Sequence, residues 1–136
     1  MNYIEKCLFD YKANLAEIET LNEEINSLMS LHGQSYGINN NSLSTGDPVA
    51  NCINQKLNIE RKIAKLKKRV NPVERLLNDL NGSSFREQQM KGILVLRYIG
   101  HEDKEFVKNE IAISEATFWR RNRELLRIAK RYFFFT

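Results

Sequence analysis

Cysteine is scarce in this chain: Cys7 and Cys52 are the only two, and no Cys-x-x-Cys occurs. The two histidines, His32 and His101, have no metal-ligand spacing around them. A zinc module and a redox dithiol are therefore excluded, and no metal is expected. Cys7 falls beside Leu8 on a helix face and Cys52 on an apolar seam, so both read as small buried hydrophobes in a reducing cytoplasm, with a disulfide between them as the alternative. Paired carboxylates in an apolar setting, a Ser-His-Asp set and a phosphate-cradling glycine loop are all lacking, which argues against an enzyme and against a cofactor. No stretch approaches about 18 apolar residues, and the N-terminus lacks the basic start and apolar core of a leader. A cytoplasmic chain with no membrane partner is expected. Two prolines and six glycines in 136 residues leave long segments free to stay helical.

The charge is modest in sum and uneven in place. A net charge of +4 is compatible with a polyanionic partner but weak as evidence. Residues 1–31 hold two lysines against six acidic residues, whereas residues 56–75 hold eight Lys or Arg against two Glu. The basic run Lys65 to Arg69 reads as a solvated face opposite the acidic first helix, with a phosphate-contacting role as the alternative. From Asp103 to Thr136 there are eight basic and five acidic residues, the basic ones concentrated after Thr117.

Apolar spacing supplies the architecture. Ile4, Leu8, Tyr11, Leu15 and Ile18 follow a 4-3-4-3 pattern that Leu21, Ile25 and Leu28 resume after one stammer. Residues 33–46, GQSYGINNNSLSTG, have no periodicity and predict a flexible loop. Asp47-Pro48 then restarts a helix with Asp as N-cap. Val49, Cys52, Lys56, Ile59, Ile63, Leu66, Val70, Val73, Leu77 and Leu80 alternate steps of three and four. Pro72 interrupts that helix and predicts a kink or short break near Val70–Asn71. Two helices of opposite charge with matching seams predict an antiparallel, coiled-coil-like hairpin over residues 1–80. So small an interior is better covered by a second copy, which makes a homodimer the expected state, associating through Ile59, Ile63, Leu66, Val70, Val73 and Leu77. Closure of the hairpin within one chain or by exchange between two stays open.

Asn81-Gly82 ends the hairpin, and Ser84 with Glu87 forms a capping box for the next helix, which carries Met90, Ile93, Leu94, Arg97 and Tyr98 to about Gly100. A short helix is predicted over residues 103–109, a turn over Ile111–Ile113, and a last helix from Ser114, which caps its first turn. Phe118, Leu125 and Ala129 seat that helix on a core. Helix, short helix, turn and Arg-rich helix is the order of a helix-turn-helix, whose last helix enters the major groove. The candidate DNA-contacting residues are Ser114, Glu115, Ala116, Thr117, Trp119, Arg120, Arg121, Arg123 and Arg127, of which Glu115, Ala116, Trp119, Arg120 and Arg123 are expected to face outward at the helix start.

The segment LRYIGHEDKEFVKNEIAISEATFWRRNRELL resembles the C-terminal helix-turn-helix of sigma-70-like factors, their promoter-recognition domain. The fuller order resembles the phage transcriptional regulators of the ArpU and RinA families: YKANLAEIETLNEEI, the QSY of the loop, Asp47-Pro48-Val49-Ala50-Asn51, Asn71-Pro72-Val73-Glu74-Arg75-Leu76-Leu77, and then this domain. The resemblance covers nearly the whole chain through short motifs. It implies a phage or prophage regulator of late-gene or packaging-gene promoters in low-GC Gram-positive hosts, with Ser114 through Arg127 as its recognition helix. The chain departs from the pattern in Asn109-Glu110 before the turn, and in the aromatic run Tyr132–Phe135, which predicts either folding back onto the core or docking on a partner.

The expectation is an all-α protein: a dimerising helical hairpin over residues 1–80, and over residues 81–136 a sigma-like helix-turn-helix that binds double-stranded DNA as a transcriptional regulator. Two alternatives are a small-terminase-like DNA-packaging protein whose hairpins build a ring, and a coiled-coil protein that binds RNA polymerase.

Overall fold

The computed structural model describes residues 2–35 and 48–134. Residues 36–46 of the predicted loop, the Asp47 cap and Phe135 lie outside the described residues. Every element among the described residues is helical, which makes this an all-α protein. Helix α1 spans Tyr3–Phe9, α2 Tyr11–Ser35, α3 Pro48–Asp79 and α4 Phe85–Gly92; a π-helical segment Ile93–Ile99 continues α4, and α5 (Lys104–Ile111) and α6 (Glu115–Phe134) follow.

The chain divides into two compact units, one of residues 1–14 with 68–136 and one of residues 15–67. The division therefore does not fall at Leu80, where the sequence pattern put it. Two local causes explain the difference. The 4-3 spacing from Ile4 is cut at Asp10, whose amide donates to the Lys6 carbonyl at 2.9 Å and whose carbonyl accepts from the Asn14 amide at 2.8 Å. The chain thus turns between α1 and α2 with its hydrogen bonds kept, and α1 is free to pack elsewhere. At the other end, the apolar side chains of α3 after Lys68 serve a different core from those before it.

In the first unit that core joins Ile4 and Leu8 of α1 to Val73, Leu76 and Leu80, Met90, the π-segment residues Ile93, Leu94, Tyr98 and Ile99, Val107, and Phe118, Leu125 and Ala129 of α6. Helix α1 is capped by Asn2, whose Oδ1 accepts from the Glu5 amide at 2.8 Å. It is tied down further by Phe9, whose ring lies 4.6 Å from that of Tyr98 and whose carbonyl meets His101 Nε2 at 2.6 Å. Helix α3 runs unbroken through Pro72. Proline costs it one backbone donor, but Val70 and Val73 on either side are 2% and 0% exposed, and their burial offsets the loss. The helix stops where Gly82 adopts φ 76, a left-handed conformation suited to glycine. Ser84 caps α4 as predicted, accepting from the Glu87 amide at 3.2 Å, but the reciprocal half of the box is replaced by a hydrogen bond from Ser83 Oγ to the Glu87 carboxylate.

The π winding was not anticipated. An α-helical register would place Ile93, Leu94, Arg97 and Tyr98 on one face. With i→i+5 winding, Ile93 stacks under Tyr98 and Leu94 under Ile99, and these four are the buried ones. Arg97 is thereby moved off the core line. A Cβ on Gly92 would come within 2.7 Å of Ile111 Cγ2, so the close seating of α4 on α5 needs glycine there.

The aromatic end folds back in part. The Tyr132 hydroxyl donates to the Asp79 carboxylate, Arg75 donates to the Tyr132 carbonyl at 3.3 Å, and Phe133 meets Tyr3 edge-on at 6.0 Å, while Phe134 stays 58% exposed. The bond to Asp79 and then burial hold the Tyr132 phenol above its usual range.

In the second unit Leu21, Ile63 and Leu66 form the centre, with Ile18, Ile25 and Ile59 around them and Cys52 buried nearby. These residues of α2 and α3 pack against one another in the single chain. The six positions assigned to association are accordingly used internally: Ile59, Ile63 and Leu66 here, Val73 and Leu77 in the first unit's core, with Val70 buried. Among the described residues no ion pair joins the acidic residues of α2 to the basic run of α3; the pair within reach is Lys56 with Glu60, 3.8 Å apart on α3 itself. Both charged faces are turned to solvent. Both cysteines are free and buried, as their surroundings in sequence imply.

Candidate nucleic-acid interface

Helices α5 and α6 are joined by a tight turn. Asp103 caps α5, accepting from the Phe106 amide at 2.8 Å, and the helix ends on Ala112 with φ 54 and ψ 54. A left-handed alanine costs about 1 kcal/mol. Here the Ile113 amide gains the Lys108 carbonyl at 3.1 Å, which closes the turn. Ser114 then caps α6, accepting from the Thr117 amide at 3.2 Å.

Helix α6 is held by one face. Phe118, Asn122, Leu125 and Ala129 are buried, and the buried polar group among them is satisfied: Tyr98 donates to Asn122 Oδ1 at 2.7 Å. Burial raises the Tyr98 phenol, so it remains a neutral donor. The opposite face carries Ala116, Arg120, Arg123 and Arg127, spaced four, three and four residues apart and all exposed. No carboxylate pairs with these three arginines among the described residues. Lys130 and Arg131 are exposed further along the helix and were not among the candidates, although the same spacing, carried on, reaches them.

The other candidates divide. Trp119 is 39% exposed at the edge of the stripe, its ring edge-on to Phe118 at 5.0 Å. Glu115 is exposed but engaged: it accepts from Lys104 of α5 and lies 3.7 Å from the Lys108 ammonium. Thr117 is half-buried and receives the Ser114 hydroxyl at 3.0 Å, so it belongs to the cap. Arg121 is turned away from the stripe: its Nε donates to Gln89 at 2.8 Å and its Nη1 to Glu124 at 2.9 Å, bracing α6 against α4. One step along a helix rotates a side chain by about 100°, so an arginine adjacent to Arg120 points elsewhere.

The Lys104 hydrogen bond, then the charges of Lys104 and Lys108, hold the Glu115 carboxyl below the usual glutamate range. Because the folded value is the lower one, the pair's contribution is present above the ordinary glutamate range and is lost as pH falls through the depressed value. A carboxyl-resolved NMR titration is expected to place the Glu115 midpoint below that of a free glutamate, and Lys104→Gln to move it back up. A midpoint unaltered by Lys104→Gln would mean the pair does not persist in solution.

No helix among the described residues is long and apolar enough to cross a membrane. Comparison with family models, with curated proteins and with solved structures finds no match for this chain.

Proposed function

We propose that this protein is a sequence-specific, double-stranded-DNA-binding transcriptional regulator of the sigma-like helix-turn-helix kind, working in the cytoplasm of a bacterial host as a phage or prophage activator. The observation that carries the reading is the exposed stripe of Ala116, Arg120, Arg123 and Arg127 on a helix capped at Ser114 and braced from behind by Arg121. Arginines free of acidic partners on one helix face supply phosphate attraction, and a guanidinium at the helix start reaches guanine in the major groove. The tight turn after α5 and the burial of Phe118 and Leu125 support the same reading, since a reading helix must be rigidly seated to discriminate bases. A second copy completes the assembly: a two-helix hairpin has little interior, and Ile53 and Leu57 of α3 are 52% and 43% exposed.

The test is to sequence the DNA fragments recovered with the full chain from a pool of host and phage genomic fragments. Enrichment near promoters is the expected result. Recovery of a single locus away from promoters would transfer the protein to DNA packaging, and no enrichment at all would end the DNA-binding reading.

A further inference from the structure

Two arginines of the first unit are half-buried, Arg121 on α6 and Arg97 on the π segment beside it, and the fold treats them differently. Arg121 is fully engaged, with Gln89 and Glu124 as acceptors. Arg97 has no hydrogen-bond acceptor among the described residues. Its guanidinium carbon sits 5.1 Å from the ring centres of both Phe118 and Trp119 and 5.4 Å from that of Tyr98, and its Nη1 is buried without a hydrogen-bond partner. Nη1 is the one side-chain nitrogen left buried and unsatisfied among the described residues, and Arg97 as a whole is only half-buried. Aromatic faces attract a cation but do not accept its in-plane N–H bonds. Lys104, whose ammonium lies 5.7 Å from the same Trp119 ring, adds a second positive charge that repels the first. Glu115 answers Lys104 and Lys108, leaving Arg97 unanswered.

A planar, half-buried guanidinium held among three rings and short of an anion matches a phosphodiester. Resting on the DNA-binding reading above, we infer that Arg97 is a phosphate anchor: it takes one backbone phosphate of a duplex lying along α6, beside Trp119 and outside the Arg120–Arg123–Arg127 stripe. The π winding of residues 93–99 is what makes this possible, because it moves Arg97 from the core line to the Trp119 edge of α6. A contact to the backbone positions the helix and carries no sequence information.

The experiment compares wild type with Arg97→Met, which keeps an unbranched apolar stem among the rings, and Arg97→Lys, which keeps the charge. Binding of a specific and a scrambled duplex is measured against salt, with thermal melting of each free protein and Trp119 emission as further readouts. In Arg97→Met, the slope of log affinity against log salt is expected to fall by about 0.9, with both duplexes weakened alike and the sequence preference retained. Arg97→Lys is expected to keep the wild-type slope, and the free Met variant to melt no lower than wild type, since the unpaired donor is gone. Duplex should alter Trp119 emission in wild type and not in Arg97→Met. A Met variant that binds with the wild-type slope, or that unfolds, makes Arg97 a purely structural residue and overturns the inference while leaving DNA binding intact. A Trp119 response to millimolar inorganic phosphate would make this a small-anion site and overturn it likewise. A wild type that binds neither duplex overturns the inference together with the reading it rests on.

Discussion

Leu8→Ala is expected to destabilise the first unit by about 2–5 kcal/mol, although Leu8 is far in sequence from every residue of α4, α5 and α6. Leu8 is fully buried, in the same cluster as Leu94, Tyr98, Phe118 and Leu125. Alanine would remove most of an apolar side chain from the centre of a small core and leave a cavity that a packed interior closes only partly. For a unit of this size such a loss is a large share of the total stability. Denaturant unfolding followed by helical ellipticity measures the cost directly. A fragment of residues 81–136 is expected to lack a cooperative transition, because it lacks α1 and the Val73 and Leu76 end of α3. A fragment that unfolds cooperatively at the full chain's midpoint would show that α1 is a passenger, and Leu8→Ala would then cost little.

The second large effect lies on the outward face of α6. Arg120→Ala with Arg123→Ala is expected to abolish sequence preference and to lower affinity by the sum of a base contact and a phosphate contact. A bidentate arginine–guanine pair discriminates by about 1–3 kcal/mol, a factor of roughly 5 to 150 in equilibrium constant. Losing a phosphate contact instead weakens all sequences alike and takes about one from the salt slope. The single variants separate the two roles: the one that flattens preference reads a base, and the one that reduces the slope grips the backbone. Both side chains are exposed and have no ion-pair partner among the described residues, so both variants are expected to melt as the wild type does. Arg121→Ala serves as the contrast. It breaks the bonds to Gln89 and Glu124, and it is expected to lower the melting temperature and to reduce binding only through folding. A folded double variant that binds its selected duplex unchanged would remove α6 from the interface.

The features readable without a structure were those set within one or two helical turns. Ser84 and Ser114 each accept an amide hydrogen three residues on, a distance so short that residue type and position suffice to identify a cap. The inward line of Phe118, Leu125 and Ala129 and the outward line of Ala116, Arg120, Arg123 and Arg127 follow from 3.6 residues per turn once the helix is recognised. The all-helical class rests on the same periodicity. What stayed hidden was any choice between partners equally suited to an apolar stripe. A 4-3 repeat in residues 4–18 is satisfied by a coiled-coil partner or by a globular core, and its pattern is the same in both cases. Three-dimensional packing assigned Ile4 and Leu8 to the α6 core and Ile18 and Leu21 to the cluster with α3, the change falling after Asn14. Arg121 looked like its neighbours until Gln89 and Glu124 claimed it. Arg97 looked like an interruption of a buried face until the π winding turned it toward Trp119. Local hydrogen bonding and helical period are written in neighbouring residues, so the sequence alone determined the all-helical class, the caps at Ser84 and Ser114 and the faces of α6. Which face meets which depends on the total burial achieved by residues far apart in the chain, and that sum was decided only in the folded structure.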